Sequence, residues 1–374
     1  MTRAAAIALA GMAALAVAMG IGRFAFTPVL PMMQHDRGLT LAQGGWLASA
    51  NYLGYFVGAL LAMRSRMRAA LAITLWLFAI SIATGAAAIF TRFEVLFALR
   101  LVAGLASALV LVHVSSWALD ALSQAGRPEL RGIVFAGVGV GIVCAGLACI
   151  VLAGASASSD TAWITLGAIA LAVSLAIAPL IRGGEGQAHS PGPASRREPL
   201  ARHWRLIYAH AAFGFGYIIP ATFLPVMAKK ILGDTALFGW AWPIFGAASA
   251  LSTWLCVRLA GHLRVRDAWA GSLVVMAVGV GSPVVVPGIV GILIAAVCVG
   301  ASFMVATMLA MQEARSECGD AARPLMGAMT TAFALGQIAG PLVVSGATDA
   351  AFAHVLLIAS VPLLVAAYLL WRRT

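Results

Sequence analysis

The chain has 374 residues, 62 % of them hydrophobic and 10 % charged, with a formal net charge of +11. Such a balance lies far outside soluble averages and excludes an ordinary water-soluble domain. A basic total of this size suits nucleic acid only where the cations share one folded face; here they recur in alternate short loops, so nucleic acid is not an expected partner and a lipid bilayer is.

Apolar runs of membrane-spanning length predict twelve helices, at residues 4–33, 40–63, 69–90, 94–118, 131–155, 161–181, 204–228, 236–257, 268–285, 288–311, 325–347 and 353–371. Helix 1 contains Gly20-Ile21-Gly22-Arg23 and then Leu30-Pro31-Met32-Met33. Its start resembles a signal peptide, with Arg3, an apolar stretch and Ala16-Val17-Ala18 at a cleavage-like position. An internal copy of the same segment assigns it to the mature chain instead. Helix 2 has Asn51 as the strongly polar side chain of its interior, and helix 4 carries Arg100 and His113. After helix 6, Gly183 to His203 is rich in Gly, Pro, Ser and Arg and reads as a flexible linker.

Helix 7 then repeats helix 1 at an offset of 194, as Gly214-Phe215-Gly216-Tyr217 followed by Leu224-Pro225-Val226-Met227. Both copies read G-x-G, seven residues, L-P-x-M. Gly45-Trp46 recurs as Gly239-Trp240, Arg127-Pro128 as Arg323-Pro324, and Gly141 with Ala145 as Gly336 with Gly340. The echoes keep their order, so the chain reads as a duplication: residues 1–182 one six-helix bundle, 183–203 a linker, 204–374 the second bundle. Six is even, so the two copies enter from the same side and are parallel repeats. The expected fold class is an all-α polytopic membrane protein.

Of the 24 Lys and Arg, 18 lie at the termini and in alternate connections, from Arg3 through Arg64, Arg66 and Arg68 to Arg372 and Arg373. The intervening connections hold only Arg37, Arg92, Lys229 and Lys230. By the positive-inside rule both termini and the linker are expected in the cytoplasm, consistent with a multi-pass protein of a bacterial inner membrane.

These motifs resemble the major facilitator superfamily, and within it the YbfB/YjiJ-type branch. The resemblance is carried by GIGRFAFTPVLPMM, WLASANYLGYFVGALL, FGFGYIIPATFLPVMAK and FALGQIAGPLV, and it covers the whole chain. It implies two bundles that rock about a central site. The superfamily's loop after helix 2 usually reads G-x-x-x-D-R-x-G-R; here Gly58 and Arg66 match, but Ala62 replaces the acid and Ser65 the second glycine. Arg100-x-x-x-Gly104 resembles a helix 4 motif linked to proton coupling in some antiporters. Gly137 and Gly141 resemble the helix 5 glycine motif of drug exporters, with Ile142 in place of its proline.

An arginine near the bilayer centre costs roughly 2.5–3.5 kcal/mol and by default marks a functional site. Arg23 is therefore the leading candidate to bind solute, with Thr27 one helical turn on. Arg100 is a second candidate, although Glu94 on the same helix offers it a local partner. His113 lies about 140° around helix 4 from Arg100 and reads more simply as hydrogen-bonded packing. In the second copy Tyr217 takes the repeat position of Arg23, with His210 seven residues earlier on the same stripe and Gln337 with Thr330 on helix 11. Asn51, His210, Tyr217 and Gln337 each fit either a solute contact or interhelical hydrogen-bond glue. Trp240 and Trp242 fit an interfacial belt.

All 13 acidic residues lie at helix ends or in loops, which counts against an exporter of cationic drugs and favours an anionic solute. The expected function is secondary active transport of a small organic anion by alternating access, with a coupling ion such as H⁺. An exporter of apolar compounds is the alternative on the same fold, and an intramembrane sensor a remoter one. Catalysis is not expected: Ser115 and Ser116 near His113 lack an acid at depth. No ATP-binding loop, metal spacing, disulfide framework or cofactor motif is present.

The topology predicts that, in intact cells of a variant without native cysteines, Asp349→Cys reacts with an impermeant thiol reagent added outside and Ser190→Cys does not. Labelling of the Ser190 position would invert or break the assignment.

Overall fold

In hydrocarbon each backbone N–H and C=O must be satisfied within its own segment, so apolar runs of this length fold as helices. The computed structural model describes residues 2–184, 199–232, 240–259, 263–345 and 349–372. Twelve helices result: α1 (Arg3–Asp36), α2 (Leu41–Arg64), α3 (Ala69–Ile89), α4 (Phe93–Gln124), α5 (Arg131–Gly154) and α6 (Ser159–Gly184). They continue as α7 (Trp204–Leu232), α8 (Ala241–Leu259), α9 (Val265–Val285), α10 (Ile289–Cys318), α11 (Ala322–Ser345) and α12 (Asp349–Trp371). Among the described residues nine spans are long and apolar enough to cross a membrane by length and composition. Most of the expected linker, residues 185–198, lies outside the described residues.

Within the described residues each expected span falls on one helix, residues 236–239 and 346–347 of the eighth and eleventh spans lying outside them, but α4 and α10 run further than hydropathy suggests. Their ends, Asp120 to Gln124 and Gln312 to Cys318, are polar yet remain helical. The hydropathy window marks where hydrocarbon ends, whereas the helix continues while its backbone ladder and side-chain ion pairs hold. Gly126, at φ +65°, then supplies the left-handed residue that ends α4.

Packing follows the duplication. In the first set α2 packs on α4, α3 on α6 and α5 on α1; in the second, α8 packs on α10, α9 on α12 and α11 on α7. The sets meet where α2 lies against α11 and α5 against α8, so the second helix of each copy meets the fifth of the other. Close approach depends on glycine. A Cβ on Gly104 would lie 2.0 Å from the Asn51 carbonyl oxygen, and one on Gly54 2.0 Å from that of Leu101, which sets the α2–α4 crossing. Repeat-related Gly141 and Gly336 do the same for α5 on α1 and α11 on α7, at 2.4 Å from the Ala16 oxygen and 2.3 Å from that of Ala211. Along α5, Gly132, Gly139 and Gly146 instead face Thr253, Ala250 with Gly246, and Pro243 of α8.

Ion pairs collect at the ends. Near the α2–α3 loop, Arg315 of α10 pairs with Asp120 of α4, and Arg323 donates to the Met67 carbonyl at 3.5 Å. Both contacts cross between the sets. This is the end at which the superfamily's loop acid is replaced by Ala62. Arg266 pairs with Glu313 and Glu317 within the second set. At the opposite end Arg37 joins α1 to Asp160 of α6 at 2.5 Å and caps the Ala87 carbonyl of α3 at 2.9 Å.

Gly336→Leu is expected to lower stability by about 1–3 kcal/mol, because the added side chain meets the α7 backbone rather than a movable side chain. Unfolding of the purified protein in detergent measures this; an unchanged midpoint would show that the α7–α11 contact is not close-packed.

Candidate functional site

The site is built on an interruption of α1. Residues Ala16–Phe24 are wound as a π-helix, whose i→i+5 bonding adds a residue to the turn. Gly20 and Gly22 let this wider segment press on its neighbours: a Cβ would lie 2.4 Å from Cα of Gly141 at the first and 3.0 Å from Ser107 Oγ at the second. Carbonyls of the segment are then collected by side chains from α2 and α4. Ser107 Oγ lies 2.6 Å from the Ala18 oxygen and 2.7 Å from that of Ala103 on its own helix, sharing one proton between them. Arg100 donates from Nη1 to Gly22 and from Nη2 to Arg23, both at 3.2 Å. Asn51 Nδ2 reaches Gly22 at 3.4 Å and the Arg100 carbonyl at 3.1 Å.

The outcome of this winding is the placement of Arg23. It is 3 % exposed, and its Nη2 donates across the interface to Gln337 Oε1 of α11. Its Cζ lies 4.0 Å from the ring centroid of Tyr55, 5.4 Å from Tyr52, 5.5 Å from Phe24 and 6.0 Å from Phe333. Aromatic faces compensate part of a desolvated guanidinium's charge. Nε and Nη1 nevertheless have no hydrogen-bond partner. Arginine can only donate, so Gln337 must turn its oxygen to it, which leaves Gln337 Nε2 buried and also without a partner.

Tyr217 packs on the far side, stacked on Phe303 at 4.5 Å and on Phe333 at 6.0 Å. The two repeat-equivalent residues, Arg23 and Tyr217, thus converge on Phe333. His210, 2 % exposed, sits 5.4 Å from the same ring, and its Nδ1 has no partner. Met19, Tyr55, Leu111, His210, Phe303 and Phe333 are among the walls of a central cavity. In this conformation only about 10 Å³ of it is open, room for about one water.

The structure therefore brings Arg23, His210 and Tyr217 together around the Phe333 ring, with Gln337 hydrogen-bonded to Arg23; of the four, His210 itself lines the cavity. Asn51 and Arg100 are adjacent but bond to backbone, so their role here is to hold the π-helical segment; Arg100 Nε alone of that pair's donors lacks a partner. Arg100 does not use Glu94, which lies 3.7 Å from Arg92 instead. Thr27 corrects the helical-wheel expectation: it is exposed, because the π-helical turn shifts the phase and four residues no longer return to the face of Arg23. His113 bridges the Leu109 carbonyl at 2.8 Å and Ser65 Oγ at 3.1 Å, and Thr330 donates to Met326 of its own helix at 2.7 Å. Trp240 is exposed, whereas Trp242 turns inward, 6.1 Å from Phe24. Sequence reading missed Tyr52, Tyr55 and Phe333. Their signal was local: the two tyrosines share a turn beside Asn51, and Phe333 lies one turn before Gln337 on the same stripe. Among the described residues no cluster of three or more His, Cys, Asp or Glu could hold a metal ion.

Two parallel six-helix sets meeting over a central, partly unsatisfied polar group define a membrane transporter of the major facilitator fold. The chain belongs to the family described as "Uncharacterised MFS-type transporter YbfB", whose model matches residues 15–371. Among solved structures it is similar to the human organic anion transporter MFSD10 (TETRAN), with a TM-score of 0.78 and 14 % identity over 99 % of this chain and 100 % of that one. At that identity the likeness shows the fold alone. No curated protein matches the sequence.

Because Arg100 neutralises two carbonyls of α1, Arg100→Gln is expected to cost about 1.5–3 kcal/mol of stability while leaving the rank order of bound solutes unchanged. Unfolding and ligand competition on the same preparation check this. A changed solute order at full stability would place Arg100 on the solute instead.

Proposed function

We propose that the protein is a secondary active transporter of a small organic anion, with Arg23 as the anion's anchor. The observation that supports this is the buried Arg23 guanidinium with Nε and Nη1 unpartnered. A buried charge left without hydrogen-bond partners is strongly penalised. An anion removes that penalty, and a carboxylate does so with two oxygens suited to the planar fork. Gln337 Nε2 offers a further donor beside it. No acidic residue lies mid-span to neutralise the cation.

The cavity is too small in this conformation for any organic solute, so binding requires the six-helix sets to part. In the proposed cycle residues 1–182 and 204–374 move as two bodies along the α2–α11 and α5–α8 contacts, joined by a cytoplasmic linker at 183–203. Both termini lie in the cytoplasm of a bacterial inner membrane, and a gradient of a coupling ion such as H⁺ drives the cycle.

The test is solute affinity per folded molecule in wild type, Arg23→Lys and Arg23→Gln, after a thermal-shift screen of organic acids, organic cations and neutral drugs. Arg23→Lys should keep a point charge and lose the fork. Arg23→Gln loses both and should weaken an anion by about tenfold to a hundredfold. Equal affinity in all three would end the anion reading and favour an exporter of apolar compounds, for which the aromatic walls alone would suffice.

A further inference from the structure

Unpartnered polar groups of two kinds lie around Phe333, a wall of the central cavity. One group is Arg23 Nε and Nη1 with Gln337 Nε2; the other is His210 Nδ1. Both lie within reach of one phenyl ring, since Phe333 is 6.0 Å from Arg23 Cζ and 5.4 Å from the His210 ring. The cavity walls are flat and apolar, with Tyr55, Phe303 and Phe333 the large faces. His210 is otherwise enclosed by Phe213 at 5.4 Å and Trp269 at 6.1 Å.

Each selects a chemical group. Three N–H bonds on Arg23 Nε and Nη1, beside a Gln amide, suit a carboxylate. A second carboxylate at His210 would be buried among aromatic rings against a single imidazole nitrogen, which low-dielectric burial disfavours. A neutral imidazole nitrogen donates in one tautomer and accepts in the other, and a hydroxyl is a small group that satisfies either. Large aromatic walls, Tyr55, Phe303 and Phe333, suit a flat ring.

From this, and resting on the reading of Arg23 as an anion anchor, we infer that the solute is a hydroxylated aromatic monocarboxylate of one ring. Its carboxylate lies on Arg23 and Gln337, its ring among Tyr55, Phe303 and Phe333, and its hydroxyl on His210. His210 is then the specificity-determining residue and not a packing group.

The experiment is isothermal titration of the full-length protein in detergent with 4-hydroxybenzoate, benzoate, 4-fluorobenzoate and succinate, in wild type, His210→Phe and Arg23→Gln. In wild type the hydroxy acid should bind about three- to tenfold tighter than benzoate, the worth of one neutral hydrogen bond. The fluoro acid, close in size but without a donor, should resemble benzoate, and succinate should bind more weakly than any aromatic acid. His210→Phe keeps a ring and should reduce the hydroxy-to-benzoate ratio to about one. Arg23→Gln should weaken all the aromatic acids and preserve their ratio. A wild-type ratio of one, succinate bound as tightly as the hydroxy acid, or no aromatic acid bound by protein with a normal unfolding temperature each overturns the hydroxy-aromatic assignment and leaves the anion reading to its own test. Aromatic acids bound equally well by wild type and Arg23→Gln overturn the anion reading instead. The wild-type comparison among the four acids decides the assignment even if His210→Phe does not fold.

Discussion

Keeping the Arg23 guanidinium out of water is the constraint on which the centre of the molecule depends. Its position requires the π-helical turn of α1, since an α-helical segment would rotate the residue to another face. That turn requires donors from outside its own helix, and Arg100, Asn51 and Ser107 supply them. Those donors reach only because Gly54 and Gly104 bring α2 and α4 into backbone contact. A single buried charge thus organises three helices of the first copy before any solute is considered. Its direct hydrogen bond then leaves that copy altogether, to Gln337 of α11.

The arrangement separates residues that touch the charge from residues that place it. Arg100 is as costly to bury as Arg23, yet two of its nitrogens are spent on carbonyls of α1, and Phe26 covers it at 4.7 Å. Such a residue fixes geometry to within the tolerance that binding sites need, and its loss acts through the neighbour it holds. At the α2–α3 loop end the Asp120 to Arg315 pair and the Arg323 bond to Met67 join the two copies in this conformation. They occupy the region where the superfamily's loop acid would lie, so the loss of that acid at Ala62 does not leave this end without charged contacts between copies.

The twelve helices, their duplication and the depth of Arg23 were legible in the sequence, because hydropathy, repeat spacing and the cost of a buried cation are properties of local composition. The job of Arg100 was not, since one arginine on a helix looks the same whether its fork meets a solute or a carbonyl. Thr27 was misplaced because a helical wheel assumes 3.6 residues per turn, and nothing in Ala16 to Phe24 beyond its two glycines announces a wider winding. Tyr52, Tyr55 and Phe333 were missed for a further reason: their local spacing beside Asn51 and Gln337 does not say which ring will cover a charge 29, 32 or 310 positions away. Their meeting is decided by how two copies dock, a tertiary fact.

The glycines at 132, 139 and 146 give the α5–α8 contact a property that a knobs-into-holes seam lacks. Interdigitated side chains lock two helices into discrete registers, and each change of register lifts every knob out of its hole. Here Gly139 meets the α8 backbone directly, Gly132 the Thr253 oxygen and Gly146 the Pro243 ring, and Ile142 over Gly246 is a single such step, so one cylinder can roll on the other with modest change in contact. Such a face acts more as a bearing than as a latch, and the conformational preference of the protein is set mainly elsewhere, by the ion pairs at its ends and by whatever occupies the centre.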